Sequence, residues 1–137
     1  MNCLRLEDDL PTGNDLLKIL ATDDLQEQVL SACMTCVTRA LRNGRTLTAQ
    51  FYKCRLNSEP IDDAQSDLWT QEALTAEILI IRAQQQGLIR NDSPANTLAA
   101  MANHLTNSMI ITWCIRGESF DLFQESRKAL LVLFNIA

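Results

Sequence analysis

The chain has little of what many fold and function classes require. Its 137 residues include only 4 glycines and 3 prolines. A sandwich or barrel of many short strands would need more turn residues than that. With a single histidine and no second close pair of cysteines, a four-ligand zinc centre lacks its donors. No run approaches the roughly eighteen consecutive apolar residues of a membrane span. The first ten residues carry Glu7, Asp8 and Asp9 and lack a basic start followed by an apolar core, so they do not read as a secretory signal. There is no glycine-rich phosphate loop and no nucleophile elbow around any serine. Glu72 and Glu77 lie five apart on one helix and do not share a face as a paired-carboxylate metal site demands. We expect no catalytic residue, no metal and no cofactor.

What is present describes an ordered domain. Apolar residues make up 47% and charged residues 21%, which suits one packed core rather than a disordered chain. The net charge of −5 is unevenly spread: residues 1–24 carry −4, 25–58 carry +4 and 59–92 carry −5. The basic stretch (Arg39, Arg42, Arg45, Lys53, Arg55) reads as a solvated helix face with cations near a helix end. An odd count of five cysteines reads as reduced thiols in a cytoplasm. Cys33 and Cys36 form a C-x-x-C spacing in the middle of a helical pattern. They therefore read as two small apolar side chains rather than as a redox pair at a helix N-terminus.

The breaks fall at Pro11–Asn14, Asn43-Gly44, Asn57–Pro60, Gly87, Asn91–Pro94 and Gly117. Between them the apolar spacing is helical. The expected helices cover about 14–21, 23–42, 46–56, 61–87, 94–116 and 119–136. This is an all-α protein of about six helices, with an N-terminal segment (1–22) and a main domain (23–137). Thr22 or Asp23 can cap the second helix, Ser93 the fifth and Ser119 the sixth. Ile78 to Ile81 is apolar nearly all round and is expected to be buried on more than one side.

The fifth helix is unusual. From Ala95 to Ile115 there is no Asp, Glu, Lys or Arg. A helix with one solvated face would carry charge, so this one should be covered on two sides, by its own core and by a second chain. The sixth helix also has more apolar surface than a narrow stripe. Together they suggest a symmetric homodimer through a four-helix interface, two helices from each chain. The candidate interface residues are Met109, Ile110, Trp113, Phe120, Phe123, Leu130, Leu131 and Phe134.

One segment reads Ala83-Gln-Gln-Gln-Gly87-Leu-Ile-Arg90-Asn-Asp92. It precedes a helix with Ser108 five residues before Trp113, and then Arg116-Gly-Glu-Ser-Phe120-Asp-Leu122. This resembles the C-terminal half of a TetR/AcrR-type transcriptional regulator, most clearly over 78–123. The resemblance implies a bundle of orthogonal and antiparallel helices whose last two form the dimer. It implies an effector-binding and dimerisation domain over 23–137, sensing a small, mostly apolar molecule. It also implies DNA contact only through a helix-turn-helix head of about fifty residues, which residues 1–22 do not resemble. The pocket candidates under this resemblance are Met34, Val37, Phe51, Tyr52, Trp69, Leu74 and Ile78 as wall, with Gln50, Asn103 and His104 as polar contacts. The competing expectation is a headless helical interaction module that homo- or hetero-dimerises without a ligand.

Overall fold

The computed structural model describes residues 24–60 and 63–136, and for 63–70 the backbone alone. The expected helix at 14–21 and the Trp69 side chain lie outside the described residues. Among the described residues, six α-helices and one short 3-10 turn account for the regular structure and no strand occurs. We number the helices α1 (Leu25–Cys33), α2 (Thr35–Asn43), α3 (Arg45–Leu56), α4 (Asp63–Gln85), α5 (Ala95–Arg116) and α6 (Leu122–Phe134). No helix among them is long and apolar enough to cross a membrane.

Asp24 caps α1, its carboxylate accepting from the backbone N–H of Gln26 at 3.0 Å and of Glu27 at 3.3 Å. The single helix expected at 23–42 is two. The break falls at Met34, with φ −97° and ψ 10°. Its cause is local: the Thr35 hydroxyl turns back to donate to the carbonyl of Ala32 at 2.9 Å. Such back-bonding competes with the helical ladder and bends it. The ladder resumes at once, Thr38 N–H reaching Met34 O at 2.9 Å.

Gly44, at φ +88°, turns the chain between α2 and α3 in a region open to glycine. Gly87, at φ +72°, ends the long helix α4. There Leu88 N–H closes onto Ala83 O at 2.9 Å, the reverse closure typical of a glycine-terminated helix. The connector after it is pinned. Gln84 Nε2 donates to Asn91 O at 3.0 Å and Ser93 O at 2.9 Å, and Asn91 Nδ2 donates to Leu133 O at 2.8 Å.

Three expected caps shift, the first because Asp24, not Thr22 or Asp23, occupies the cap position of α1. Pro94, not Ser93, occupies the cap position of α5 and supplies no side-chain bond. A 3-10 turn over Gly117–Ser119 delays α6, which Asp121 caps through Gln124 N–H at 3.1 Å.

The core forms around α5, which packs against all five other helices. Val29, Leu30 and Val37 from α1 and α2 meet Leu79 and Ile80 from α4, Leu98 and Ile110 from α5, and Leu130 and Phe134 from α6. On α4 the inward residues are Ala76, Leu79, Ile80 and Ala83, at the three-and-four spacing of one face. The expectation of burial around Ile78–Ile81 holds for the middle two only. Ile78 is 52% and Ile81 39% exposed, because α4 has the other helices on one side alone.

Candidate functional site

Four helices bring polar side chains together inside the bundle. From α2, Arg39 points inward although it belongs to the stretch expected to be a solvated face. Its Nη2 meets Oε1 of Glu72 on α4 at 2.5 Å, with only 10% of the Arg39 side chain exposed. One turn earlier on α2, the Cys36 thiol donates to the Thr106 hydroxyl on α5 at 3.2 Å. Thr106 itself donates to Ala102 O at 3.0 Å, so its hydroxyl both accepts and donates. From α3, the Tyr52 hydroxyl donates to Asn107 Oδ1 at 2.5 Å. The Asn107 amide in turn donates to Asn103 O at 2.8 Å and to Asn103 Oδ1 at 3.1 Å.

The electrostatics follow from burial. Desolvation raises the Cys36 thiol, opposed by its bond to Thr106 and by the nearby Arg39 cation. Burial likewise raises the Tyr52 phenol, and the proximity of Cys36 and Cys114 adds to it. Cys33, deeper still, is pushed up to about 12 by burial. These groups are therefore neutral hydrogen-bonding partners at pH 7, and the only charges, Arg39 and Glu72, offset each other. The arrangement can orient a polar group of a ligand. It holds no activated nucleophile. Among the described residues, no group of three His, Cys, Asp or Glu side chains is placed to hold a metal ion.

Beside this cluster, an open groove of about 330 Å³ runs between the second half of α3 and the last turns of α5. Tyr52 forms part of its wall, together with Leu56, Ile111, Cys114 and Ile115. Three cysteines (Cys33, Cys36, Cys114) keep free thiols.

Comparison with models of known protein families, with curated proteins and with solved structures finds no match to this chain. Function has to be argued from the residues themselves.

The expected pocket residues are not gathered around one cavity. Met34 and Val37 are core. Phe51 and Tyr52 are half-buried, ring on ring edge at 5.6 Å. Gln50, Leu74, Ile78, Asn103 and His104 are exposed. Sequence reasoning reached Tyr52 and Asn103 but missed Cys36, Arg39, Glu72, Thr106 and Asn107. One signal was available: Arg39 sits three residues after Cys36 and next to Ala40, inside the apolar stripe of α2.

The interface candidates divide in the same way. Ile110, Trp113, Leu130 and Phe134 are enclosed by the chain's own helices and offer no surface to a second copy. Met109, Phe120 and Leu131 are half-buried against that core, and Phe123 is partly open. The open face of α5 is instead lined by Met101, His104, Ser108, Ile111 and Ile115, which follow one another by three or four residues and carry no acidic or strongly basic group.

Proposed function

We propose that this chain is the effector-binding and dimerisation domain of a TetR-like transcriptional regulator. One observation carries the reading: α5 is both the central core helix and the bearer of an open, uncharged outer face. A helix buried on one side and left without charge on the other is suited to a symmetric partner. The polar cluster of Arg39, Tyr52, Glu72 and Asn107 supports the effector half, since binding sites combine apolar walls with a few fixed polar groups. In such a regulator the effector changes the spacing of two DNA-reading heads by favouring one of two arrangements of the dimer.

Sedimentation equilibrium on the purified chain tests this, with native mass spectrometry of the same sample. The expected result is a mass of twice 15.4 kDa, reduced to the monomer by Met101→Glu together with Ile111→Glu. A monomer at high concentration would remove the reading.

The second reading is an interaction module without a ligand. The scatter of Leu74, Ile78 and His104 over the surface favours it. A dimer that retains no small molecule and shows no stabilisation across a panel of apolar compounds would select it.

A further inference from the structure

Most polar side chains of α5 are engaged by their own helix. Asn96 Oδ1 accepts from Thr97 N–H at 2.9 Å, and Thr106 donates to Ala102 O at 3.0 Å. Asn107 donates to Asn103 Oδ1 at 3.1 Å, and Thr112 donates to Ser108 O at 2.9 Å. Of the Asn, Ser, Thr and His side chains on this helix, those of Thr97, His104 and Ser108 make no hydrogen bond with the described residues. All three are exposed, and all three lie on the open face. With Met101, Ile111 and Ile115 they form one stripe whose spacing alternates between four and three residues. That is the spacing of a seam between two packed helices. The stripe also has a mirror point, beside Thr106. Met101 and Ile111 lie equally far from it, as do His104 and Ser108, and Thr97 and Ile115.

We propose that two copies of this chain pair antiparallel along α5, about a two-fold axis beside Thr106, and that His104 and Ser108 set this register. This rests on the dimer read above and specifies which residue meets which. Met101 packs on the partner's Ile111, and His104 meets the partner's Ser108. At the ends the Thr97 methyl lies against the partner's Ile115, which is 78% exposed in the single chain. Such pairing is what an isologous contact demands, each residue meeting its mirror position. Sliding one copy by seven residues sets His104 against the partner's Met101, or Ser108 against the partner's Ile111. A polar group would then be buried against an apolar one. An imidazole and a hydroxyl can each donate or accept, so the His104 and Ser108 pairs close one hydrogen bond in each of two central layers. A polar pair in an apolar seam costs some affinity and rejects the registers that leave it unpaired. A second copy also suits the face better than an acidic or basic partner, because from Ala95 to Ile115 there is no charge to answer one.

The test mixes full-length Met101→Cys chains with Ile111→Cys chains, oxidises them with diamide and maps the disulfide-linked peptides by mass. A link between positions 101 and 111 can form only between copies. It is expected to dominate the mixture, and neither variant is expected to link to itself through its new cysteine. Like positions lie ten residues apart along the paired helices, about 15 Å at 1.5 Å per residue. Thr97→Cys mixed with Ile115→Cys repeats the measurement at the ends of the seam, where both side chains are exposed and the fold is not at risk. His104→Leu combined with Ser108→Leu is expected to tighten the dimer and to lose the preference for the link between 101 and 111. Links between like positions would show a parallel pair and overturn the proposal. A dimer that forms neither mixed link would overturn it as well. An undiminished preference in the double leucine variant would remove His104 and Ser108 as the residues that set the register. Sedimentation reads the dimer separately: a dimer with the wrong links removes this register and leaves the regulator reading in place, whereas a monomer removes both.

Discussion

Arg127 on α6 and Glu27 in the first turn of α1 form a two-pronged ion pair across 100 residues of sequence, Nη2 to Oε1 at 2.6 Å and Nη1 to Oε2 at 3.1 Å. α1 packs chiefly on α4, and α6 on α5, so the pair ties together the two outer layers of the bundle. Its fork geometry fixes orientation as well as distance. If the last helix belongs to a dimer, this is the direct link from that helix to the N-terminal end of the described domain.

The pair makes stability depend on pH in a defined sense. The Arg127 guanidinium, through its hydrogen bonds, holds the Glu27 carboxyl below its ordinary 4.5, against a smaller opposing effect of burial. A depressed carboxylate contributes stability that is full above the ordinary value and is lost as pH falls through the lower folded value. Glu27→Gln should therefore cost about 0.5–1 kcal/mol near pH 7, since both side chains are partly solvated. The cost should vanish at the acid end. Parallel urea titrations of wild type and variant from pH 7 to pH 3 check it. A constant difference across that range would show that the ion pair is not its source.

The Arg39–Glu72 pair is less forgiving because Arg39 is buried. Glu72→Ala removes a partner from a desolvated guanidinium, a loss of about 3–5 kcal/mol where both members are fully buried. The Glu72 side chain keeps 25% of its exposure, so water can take part of its place and a loss of about 2 kcal/mol is expected. Arg39→Met combined with Glu72→Met should be less destabilising than Glu72→Ala alone, because it leaves no buried charge behind. Chemical denaturation of the two variants decides the order.

These two pairs show where sequence reading succeeds and where it stops. The ends of α2 and α4 are legible because Gly44 and Gly87 are residues that only a turn requires. The break at Met34 is not, because its cause is a hydroxyl one residue later, and periodicity is blind to it. That α5 has two useful faces follows from twenty-one residues without Asp, Glu, Lys or Arg. Which apolar residues take which face does not follow. A helix apolar all round has no phase of its own, and the neighbours choose it. Hence Ile110 and Trp113 go inward, and Met101, Ile111 and Ile115 outward. Arg39 and Glu72 were missed because a charge in isolation reads as solvent-facing. Only the meeting of α2 with α4, 33 positions on in sequence, neutralises them.

Ser126 breaks the otherwise apolar stripe of Leu122, Leu130 and Phe134 on α6. It is fully buried and its hydroxyl has no hydrogen-bond partner among the described residues. An unsatisfied buried hydroxyl costs about 1–3 kcal/mol relative to a satisfied one. Ser126→Ala removes the oxygen and keeps the helix, so it should stabilise the domain by about 1 kcal/mol. A thermal melt reads this directly, and a lowered Tm would mean that the hydroxyl has a partner after all.

Tyr52 offers the most direct view of the polar cluster, because it is the only tyrosine in the chain. Burial, helped by the nearby Cys36 and Cys114, raises its phenol above the ordinary 10.0, and the Arg39 cation opposes this only in part. A raised folded value means that the neutral phenol is favoured. The associated stability is complete below about pH 10 and is lost as pH climbs from there through the folded value. Phenolate absorbance in a pH titration reports this one residue. The expected result is no phenolate signal through the ordinary range, then a steep rise when the domain unfolds in alkali. Asn107→Ala, which removes the acceptor of the Tyr52 hydroxyl and leaves it buried, should bring the unfolding and the absorbance rise to lower pH together. A smooth titration centred near 10, in a protein still helical by circular dichroism, would mean that Tyr52 faces water. The polar cluster would then be an open surface feature, not an interior one.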